Sequence, residues 1–425
     1  MIEVRLKPDT TVTGIGRQTM TTKMRPFGKT ISLEEARAII NRAIRPVDRT
    51  EALPLHQANG RVLAQDVLST ADVPPFSRAG MDGYAVRAED TSGASRATPR
   101  LLRRIETIYT GQVPQKRVGS GECAEIATGA PMPDGADAVV MVEETDVDDG
   151  GLVSVFAPAS ARQNIGRQGS DIQKGQHVLR PGTLLNASRL GSIAALGLTD
   201  VAVYEKPRVA VLSTGNEIIE PGQPLAPGQI YDINRVTVSA VVSDNGGVPI
   251  PYRTAADTIE DLQRAVDECL EQDVMVFSGG SSVGERDLIL DVVAARGEML
   301  FHGIAVKPGK PTAFGRIEGK LFFGMPGYPT SCLSNAYILL APALRKLARL
   351  PQQIVRSFKL PLGARVVSAP GRHQFYSVRI ENGVAVPAFK ASGDITSMSQ
   401  ADGYIEIEAE VETMEAGTMV EVKLF

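Results

Sequence analysis

Three segments of the chain share one pattern: VAVLSTGNE at residues 209–217, VMVFSGGSSVG at 274–284 and LFFGMPGYPTS at 321–331. Each is a short apolar run that ends in a turn rich in glycine and hydroxyl groups. Apolar residues recur at helical spacing between and after them, over Val236 to Val242, Ile259 to Leu270, Leu288 to Ala295 and from Ser331 to about Leu347. Strands that alternate with helices predict a doubly wound parallel sheet over residues 206–350. The ligand crevice of such a sheet lies beyond the carboxyl ends of its strands, where these turns fall.

A fourth turn, KPGKP at residues 307–311, places two lysines three residues apart. Glycines let backbone N–H groups approach an oxyanion closely, hydroxyls add donors, and lysines supply positive charge. One such turn alone is typical of an ordinary strand-to-helix connection, but four in one α/β unit predict a crevice for a multiply charged anion. The candidate contacts are Ser213, Thr214, Gly215, Ser278, Gly279, Gly280, Ser282, Gly284, Lys307, Gly309, Lys310, Pro326, Gly327 and Ser331.

Acidic residues lie beside these turns, at Glu217, Asp232, Asp273 and Asp287. Carboxylates repel an anionic ligand unless a divalent cation lies between them, so the sequence predicts Mg²⁺ in the same crevice. For Asp273, which directly precedes an apolar run, the start of that strand is an equally good interpretation.

Two nucleotide-binding motifs do not fit. Lys310 follows a glycine as at the end of a P-loop, but Pro311 stands where that motif needs Ser or Thr, and the preceding glycine spacing differs. The glycines of residues 279–284 do not follow the Gly-x-Gly-x-x-Gly spacing of a Rossmann dinucleotide site.

Composition narrows the class of protein. A length of 425 residues suggests about three domains. Forty-five basic against 49 acidic residues give a net charge of -4, without the basic excess that nucleic-acid binding requires. The three cysteines and four histidines are widely spaced, so neither a disulfide framework nor a zinc cluster is predicted, and a reducing cytoplasm is favoured. The chain has no run of about 18 apolar residues, so no transmembrane helix is predicted. The first 30 residues lack the apolar region of a secretory signal.

The segments outside the α/β part have their own patterns. Ser32 to Glu35 has the form of a capping box, and the apolar spacing that follows predicts a helix up to Pro46. Short apolar runs separated by Gly, Pro and Asp predict a β-rich module from about residue 67 to 167. Alternation of apolar and polar residues predicts a small β module from about residue 354 to 425. The polar composition of the first 29 residues predicts a flexible extension.

A further motif, VPPFSRAGMDGYAV, lies at residues 73–86. Asp82 and Gly83 alone would indicate a turn before a strand. With this motif the chain resembles the molybdopterin molybdotransferases, the molybdenum insertases that include the gephyrin E domain. The resemblance covers about residues 30–425 and rests on six motifs in order: MDGYA, TGAP at residues 128–131, STGxE, SGGxSVG, KPGKP and PGxP.

The resemblance implies a four-domain subunit that forms a homodimer. The β-rich domain of one subunit would face the α/β domain of its partner across the active site. The implied domains are an elongated linking and dimerisation domain of residues 30–66 and 168–205, the β-rich domain 67–167, an α/β molybdopterin-binding domain 206–350 that resembles the molybdopterin adenylyltransferase fold, and a C-terminal β-barrel-like domain 351–425.

The resemblance also implies an activity in molybdenum cofactor biosynthesis. Molybdate-derived metal would enter adenylylated molybdopterin, with Mg²⁺-dependent release of AMP. Asp82 and Glu217 would be the catalytic pair, and Asp287 and Glu217 would be Mg²⁺-associated carboxylates. Lys307, Lys310 and Ser331 would contact oxyanions. Thr128, Gly129 and Asp232 would join the serines, glycines and prolines of the four turns as cofactor-binding residues. Molybdopterin adenylyltransferase and molybdoenzyme acceptors are the implied protein partners.

The chain departs from the family pattern at several positions. Ser77, Arg78 and Gly80 replace residues of the usual FDNSA, Asn216 replaces the usual Asp, Ser281 replaces a Val or Thr, and Tyr328 replaces an Asn. Two lost acids and one gained arginine make the pocket less negative, which would suit a tungstate-preferring paralogue. A non-catalytic molybdopterin-binding scaffold and a molybdopterin adenylyltransferase are also compatible with the α/β motifs, although an adenylyltransferase would not need the Asp82 motif.

Overall fold

The computed structural model describes residues 30–279 and 288–425. Contacts divide the chain into two compact units, one formed by the chain up to Val47 with Lys206–Phe425 and the other by Asp48–Glu205. Within the described ranges, no helix is both long and apolar enough to cross a membrane.

Helix α1 (Leu33–Ala43) begins the first unit in the way that the capping pattern predicts. The Ser32 hydroxyl accepts a hydrogen bond from the Glu35 N–H at 3.1 Å. The buried face of α1 belongs to one hydrophobic core with residues of the 209–347 segment. The helix therefore packs with the α/β part, although the sequence analysis assigned residues 30–66 to the linking domain. Its apolar stripe finds a partner surface there.

The second unit is built mainly of short strands. They are β1 (Thr50–Pro54), β2 (Val67–Leu68), β3 (Arg78–Ala79), β4 (Gly83–Val86), β5 (Arg100–Ile108), β6 (Glu122–Ile126), β7 (Ala138–Met141), β8 (Thr145–Val147), β9 (Leu152–Val155), β10 (Ile165–Gly166), β11 (His177–Leu179) and β12 (Asp200–Tyr204), with helix α2 (Ala187–Ala194).

Strand β4, which carries the end of the MDGYA motif, lies inside a six-stranded sheet with the order β7-β4-β6-β5-β9-β8. Tyr84 and Val86 lie in one hydrophobic core and Ala85 lies in another, so β4 is buried on both faces. Residues 50–67 and 178–203 share a separate small core, in which β1 pairs with β12. The β-rich character predicted for residues 67–167 is confirmed.

The α/β part of the first unit follows the predicted alternation of strands and helices. Its elements are β13 (Arg208–Ser213), β14 (Ile218–Ile219), β15 (Ile230–Tyr231), α3 (Asn234–Asp244), β16 (Val248–Pro251), α4 (Ile259–Cys269), β17 (Val274–Ser278), α5 (Leu288–Arg296), β18 (Gly297–His302), β19 (Val306–Lys307), β20 (Ala313–Ile317), β21 (Lys320–Met325), α6 (Pro329–Asn335) and α7 (Ala341–Leu347). A π-helical turn, Ala336–Leu340, joins α6 to α7 and precedes Pro342, which cannot donate to an i−4 carbonyl.

The central sheet has the order β16-β13-β17-β21-β20-β18. Its first four strands are parallel, as predicted, and β20 and β18 extend it in antiparallel fashion. Val209 and Val211 lie in the core on one face while Ala210 and Leu212 lie in the core on the other, so β13 is buried on both faces. Helices therefore cover both sides of the sheet.

The C-terminal part consists of β22 (Ser357–Pro361), β23 (Val366–Val367), β24 (His373–Glu381), β25 (Val384–Pro387), α8 (Thr396–Ser399), β26 (Gly403–Ile407), β27 (Thr413–Met414) and β28 (Met419–Leu424). Its sheet has the order β19-β24-β26-β28-β22, and β25 also pairs with β24. A bridge between Leu362 and Ala385 connects the end of β22 to β25, which gives the barrel-like closure that was predicted. The strand β19 that carries Lys307 belongs to this sheet.

Candidate functional site

The turns after β13, β17 and β21 lie in one row across the parallel sheet. Ser213 is the register partner of Ser278, and Ser278 is the partner of Met325. The Gly279 N–H donates to the Met325 carbonyl at 3.2 Å. A Cβ on Gly279, whose φ is +93°, would lie 2.5 Å from the Thr214 carbonyl oxygen. Three of the four predicted turns therefore meet at one edge, and glycine is required for their close approach.

A buried polar cluster lies under this row. The Ser213 Oγ donates to Asp232 Oδ1 at 2.7 Å and lies 3.0 Å from the Ser278 Oγ. Asp232 is 2% exposed, its Oδ1 also accepts from the Arg235 N–H at 3.0 Å, and its Oδ2 lies 3.4 Å from the Arg235 Nε. Asn234 donates through Nδ2 to the Gly327 carbonyl at 2.8 Å. The cluster holds the strand ends together and places an ion pair beneath them.

Glu217 lies near a second carboxylate that the sequence analysis did not select. The Asn216 Oδ1 accepts the Asp257 N–H at 3.3 Å, and the Gly215 N–H donates to the Ala255 carbonyl, so the two loops are joined. Partial burial of its carboxyl group raises the pKa of Asp257, and the Glu217 charge raises it further, although both residues are exposed. Asp257 lies in the loop between β16, a strand that the sequence analysis did not predict, and α4, so an acidic residue just before a predicted helix was the available signal.

The lysine turn is fixed to α6. Asn335, which is fully buried, donates to the Gly309 carbonyl at 2.8 Å, and the Thr312 hydroxyl donates to the same carbonyl at 2.9 Å. Gly309 has a φ of +104°, and a Cβ there would lie 2.2 Å from the Asn335 Nδ2. Because α6 begins at Pro329, the last residue of the PGxP turn, and contains Ser331, the fourth predicted turn is attached to the helix that follows the third.

The Gly309→Ala variant is expected to destabilise the first unit by about 2–4 kcal/mol, because a methyl group there meets a buried amide as well as an unfavourable φ. Chemical denaturation followed by circular dichroism measures the free energy of unfolding. Gly319→Ala is the matched control, since Gly319 has a φ of +81° but no atom within 4 Å of the added Cβ. Equal losses in the two variants would contradict the steric argument.

The second unit holds the MDGYA site. The Asp82 Oδ1 accepts the Thr128 N–H at 2.7 Å, across 46 residues of sequence. The Gly129 N–H donates to the Ala79 carbonyl, and a Cβ on Gly83 would lie 1.9 Å from the Val140 carbonyl oxygen. Asp82 is exposed, and among the described residues its second carboxyl oxygen has no hydrogen-bond partner. The two motifs of this unit therefore form one acidic site open to solvent.

The remaining predicted residues fall into two groups. Gly280, Ser282, Gly284 and Asp287 lie outside the described residues. Lys307 and Lys310 are half-buried on either side of the Gly309 turn.

Within residues 30–279 and 288–425 there is no group of three or more metal-ligating side chains, so Glu217 and Asp257 form a pair rather than a complete metal cage. Asp273 accepts the Arg208 N–H at 2.8 Å, at the start of the two neighbouring strands. This contact supports the interpretation of Asp273 as a strand-start residue.

Comparisons with known proteins cover nearly the whole chain. Residues 31–197 match the family model of the MoeA N-terminal region (domain I and II). Residues 210–346 match the model described as "Probable molybdopterin binding domain", and residues 359–425 match the MoeA C-terminal region (domain IV).

Individual relatives agree with these models. Molybdopterin molybdenumtransferase 2 of Mycobacterium tuberculosis is 35% identical over 393 residues, which are 90% of this chain and 95% of that protein. Molybdopterin molybdenumtransferase of Haemophilus influenzae is 32% identical over 403 residues, 93% of this chain and 98% of that protein. The crystal structure of a molybdopterin biosynthesis MoeA protein from Pyrococcus horikoshii has a TM-score of 0.82 at 41% identity and covers 93% of this chain and 99% of that one. The chain belongs to the MoeA family of molybdopterin molybdenumtransferases.

Proposed function

We propose that the protein is a molybdopterin molybdenumtransferase that inserts molybdate-derived metal into adenylylated molybdopterin and releases AMP. The observation that carries the proposal is the row formed by Ser213, Ser278 and Met325, with the lysine turn fixed to the helix after it. The proposal is supported by the backbone amides and hydroxyls at the carboxyl ends of one parallel sheet, and by the two lysines of a turn that is bonded to the helix after one of those ends. Such a site suits a ligand with a flat ring system and several negative charges.

Charge neutralisation and positioning dominate the cleavage of a phosphoanhydride bond. In this proposal Lys307 and Lys310 neutralise the oxyanions of the pyrophosphate and of molybdate. Glu217 and Asp257 would hold Mg²⁺ together with ligand oxygens, which fits a cation that needs only one or two protein carboxylates. When bound, the cation supplies further neutralisation of the charge that develops on the departing AMP.

Asp82 has a different role in the proposal. The Thr128 N–H holds one carboxyl oxygen, so the other oxygen is directed and available to accept a proton from the attacking water. We propose a homodimer in which Asp82 of one subunit serves the α/β site of its partner, as the family resemblance implies.

The direct test uses the purified full chain with adenylylated molybdopterin and Mg²⁺. AMP is measured by chromatography after addition of molybdate, of tungstate, or of neither. Oxyanion-dependent AMP release is the expected result. Binding without AMP release would support a scaffold, and consumption of ATP with unmodified molybdopterin would support an adenylyltransferase. A lower half-saturating concentration for tungstate than for molybdate would support a tungstate-preferring enzyme.

The Lys307→Ala variant is expected to raise the molybdate concentration needed for half-maximal AMP release by about tenfold, because one full charge at the oxyanion contact is lost. The rate at saturating molybdate should change much less. Lys320→Ala is the control. Lys320 is also a half-buried lysine, but it lies at the start of β21, at the end of that strand away from Met325. An unchanged molybdate dependence in Lys307→Ala would assign Lys307 a structural or phosphate-facing role.

A further inference from the structure

Arg235, in the first turn of α3, joins several segments of the α/β part through its side chain. The side chain is 13% exposed, and each of its three guanidinium nitrogens faces a different partner. Nε lies 3.4 Å from Asp232 Oδ2, Nη1 donates to the Tyr252 carbonyl at 3.0 Å, and Nη2 donates to Glu220 Oε1 at 2.6 Å. A planar guanidinium holds such partners in fixed directions, which a single ammonium group cannot do.

Two of these partners belong to the loops that carry the proposed Mg²⁺ ligands. Glu220 lies three residues after Glu217, between β14 and β15. Tyr252 lies five residues before Asp257, in the loop from β16 to α4. Arg235 therefore bonds to both loops, a few residues along the chain from each carboxylate.

The same two loops are attached to each other at a second place. The Gly215 N–H donates to the Ala255 carbonyl at 3.2 Å, and the Asn216 Oδ1 accepts the Asp257 N–H at 3.3 Å. These bonds precede Glu217 in the chain, whereas the contact with the guanidinium follows it. The loop that carries Glu217 is therefore held to its neighbour on both sides of this residue.

The carboxyl group of Glu217 stays close to the first of these attachments. A Cβ built on Gly215 would lie 2.8 and 2.9 Å from its two oxygens, so the side chain folds back over that glycine. Glu217 and Asp257 carry like charges and repel each other in the absence of a cation. The two attachments between the loops oppose this repulsion.

We propose that Arg235 is a positioning residue for Mg²⁺, whose fork holds the two loops so that Glu217 and Asp257 face one cation before it binds. The inference rests on the proposed function, which assigns the cation to this pair. Binding of Mg²⁺ to loops that are already held together does not have to order them. Loss of the fork should therefore weaken Mg²⁺ binding and leave the chemical step nearly unchanged once the cation is bound.

The Arg235→Lys variant tests the fork without changing the charge. The lysine ammonium can still pair with the buried Asp232, but it cannot hold Glu220 and Tyr252 in the directions set by the guanidinium. The Mg²⁺ concentration for half-maximal AMP release is expected to rise by about tenfold, a size typical of residues that orient metal ligands. The rate at saturating Mg²⁺ should change by less than about twofold.

Hydrogen exchange gives a second readout that needs no turnover. Exchange in peptides covering residues 214–232 and 252–258 is followed by mass spectrometry, with Mg²⁺ alone as the probe. Without Mg²⁺, both peptides should exchange at least about fivefold faster in Arg235→Lys than in the wild type, because one attachment is lost. Protection by Mg²⁺ should be half-complete at about a tenfold higher concentration in the variant.

Two further variants keep the test decisive. Arg264→Lys is the control and should leave both readouts unchanged, since Arg264 pairs with Asp261 at 2.6 Å within α4. Glu220→Ala removes one arm of the fork at an exposed position and keeps the pair of Arg235 with Asp232, so it replaces Arg235→Lys if that variant does not fold. It should loosen both peptides before Mg²⁺ is added, an effect that loss of charge alone would not produce.

A purely structural role of Arg235 predicts a different result. Exchange would then rise throughout the central sheet, and the folded variant would need the same Mg²⁺ concentration as the wild type. That result, or wild-type peptides that Mg²⁺ does not protect, would overturn the proposal. The proposed function is judged separately. Wild-type protein that shows the expected Mg²⁺ protection but never releases AMP would reject the transferase activity and retain this inference.

Discussion

AMP release by the Asp82→Asn variant is expected to fall by about two to four orders of magnitude, the range typical for loss of a general base. The substitution is nearly isosteric, and the asparagine Oδ1 can still accept the Thr128 N–H, so the local fold should persist. The charge and the second accepting oxygen are lost. Single-turnover measurement of AMP with saturating Mg²⁺ and molybdate separates this loss from changes in binding.

A matched carboxylate in the same unit serves as the control. Asp90 accepts the Gly121 N–H at 3.0 Å and the Ser120 hydroxyl at 3.2 Å, so Asp90→Asn tests the loss of a similarly bonded carboxylate away from the motif. Its AMP release should equal that of the wild type. If Asp82→Asn retains full turnover, the assigned role of Asp82 is wrong.

Subunit mixing tests whether Asp82 acts across a dimer. Inactive Asp82→Asn and Lys310→Ala proteins are mixed in equal amounts after reversible dissociation. A site shared between subunits restores about a quarter of wild-type activity, because half of the dimers are mixed and each has one intact site. No recovery, despite demonstrated exchange of subunits, would place both residues in the site of a single chain.

The Glu217→Gln variant is expected to lower AMP release by about a hundredfold at a Mg²⁺ concentration below saturation. Excess Mg²⁺ should restore part of the rate, since Asp257 and the ligand oxygens remain as ligands. Titration of the rate with Mg²⁺ is the measurement. Glu260→Gln is the control because Glu260 is an exposed acid in the first turn of α4, three residues after Asp257.

The pH dependence of the Mg²⁺ requirement is a second test of whether Glu217 and Asp257 act together. The pKa of Asp257 is raised by burial and by Glu217, so protons compete with Mg²⁺ at a higher pH than they do for an ordinary carboxyl group. The Mg²⁺ requirement of the wild type should rise as the pH falls through that raised pKa. Glu217→Gln removes one of the two causes that raise the pKa of Asp257. In this variant the rise of the Mg²⁺ requirement at acidic pH should therefore begin at a lower pH than in the wild type. A rise that begins at the same pH would show that the two carboxylates do not share a cation.

The strands that carry the site could be predicted because their signals are local. The runs ending at Ser213 and Ser278 are apolar throughout, as strands buried on both faces must be, and the glycines after them mark the turns. Asp82 and Thr128 were selected from their motifs, and the hydrogen bond between them follows from strand pairing that no local pattern contains.

Other features depend on long-range geometry. The antiparallel strands β18 and β20 were missed, partly because the two-residue turn between β20 and β21 is Glu318-Gly319, with φ values of 48° and 81°, rather than the Asn-Gly that signals such a turn. Asp257 acquires its position from β16. Asn335 appears in sequence as one polar residue within a helix, and only the fold shows that it supports Gly309. These features depend on pairing between distant segments of the chain, which local sequence patterns do not reveal.

The short strand β19 limits where the chain can be cut into separate domains. Val306 and Lys307 pair with His373 and Gln374, so the C-terminal part provides the backbone partner of a lysine proposed to contact the substrate. Excision of the α/β segment at residue 350 would leave that strand as an unpaired edge, prone to association with other chains. The modules named by their separate family models are therefore not independent parts: the terminal one provides the strand that pairs with the lysine turn of the module before it.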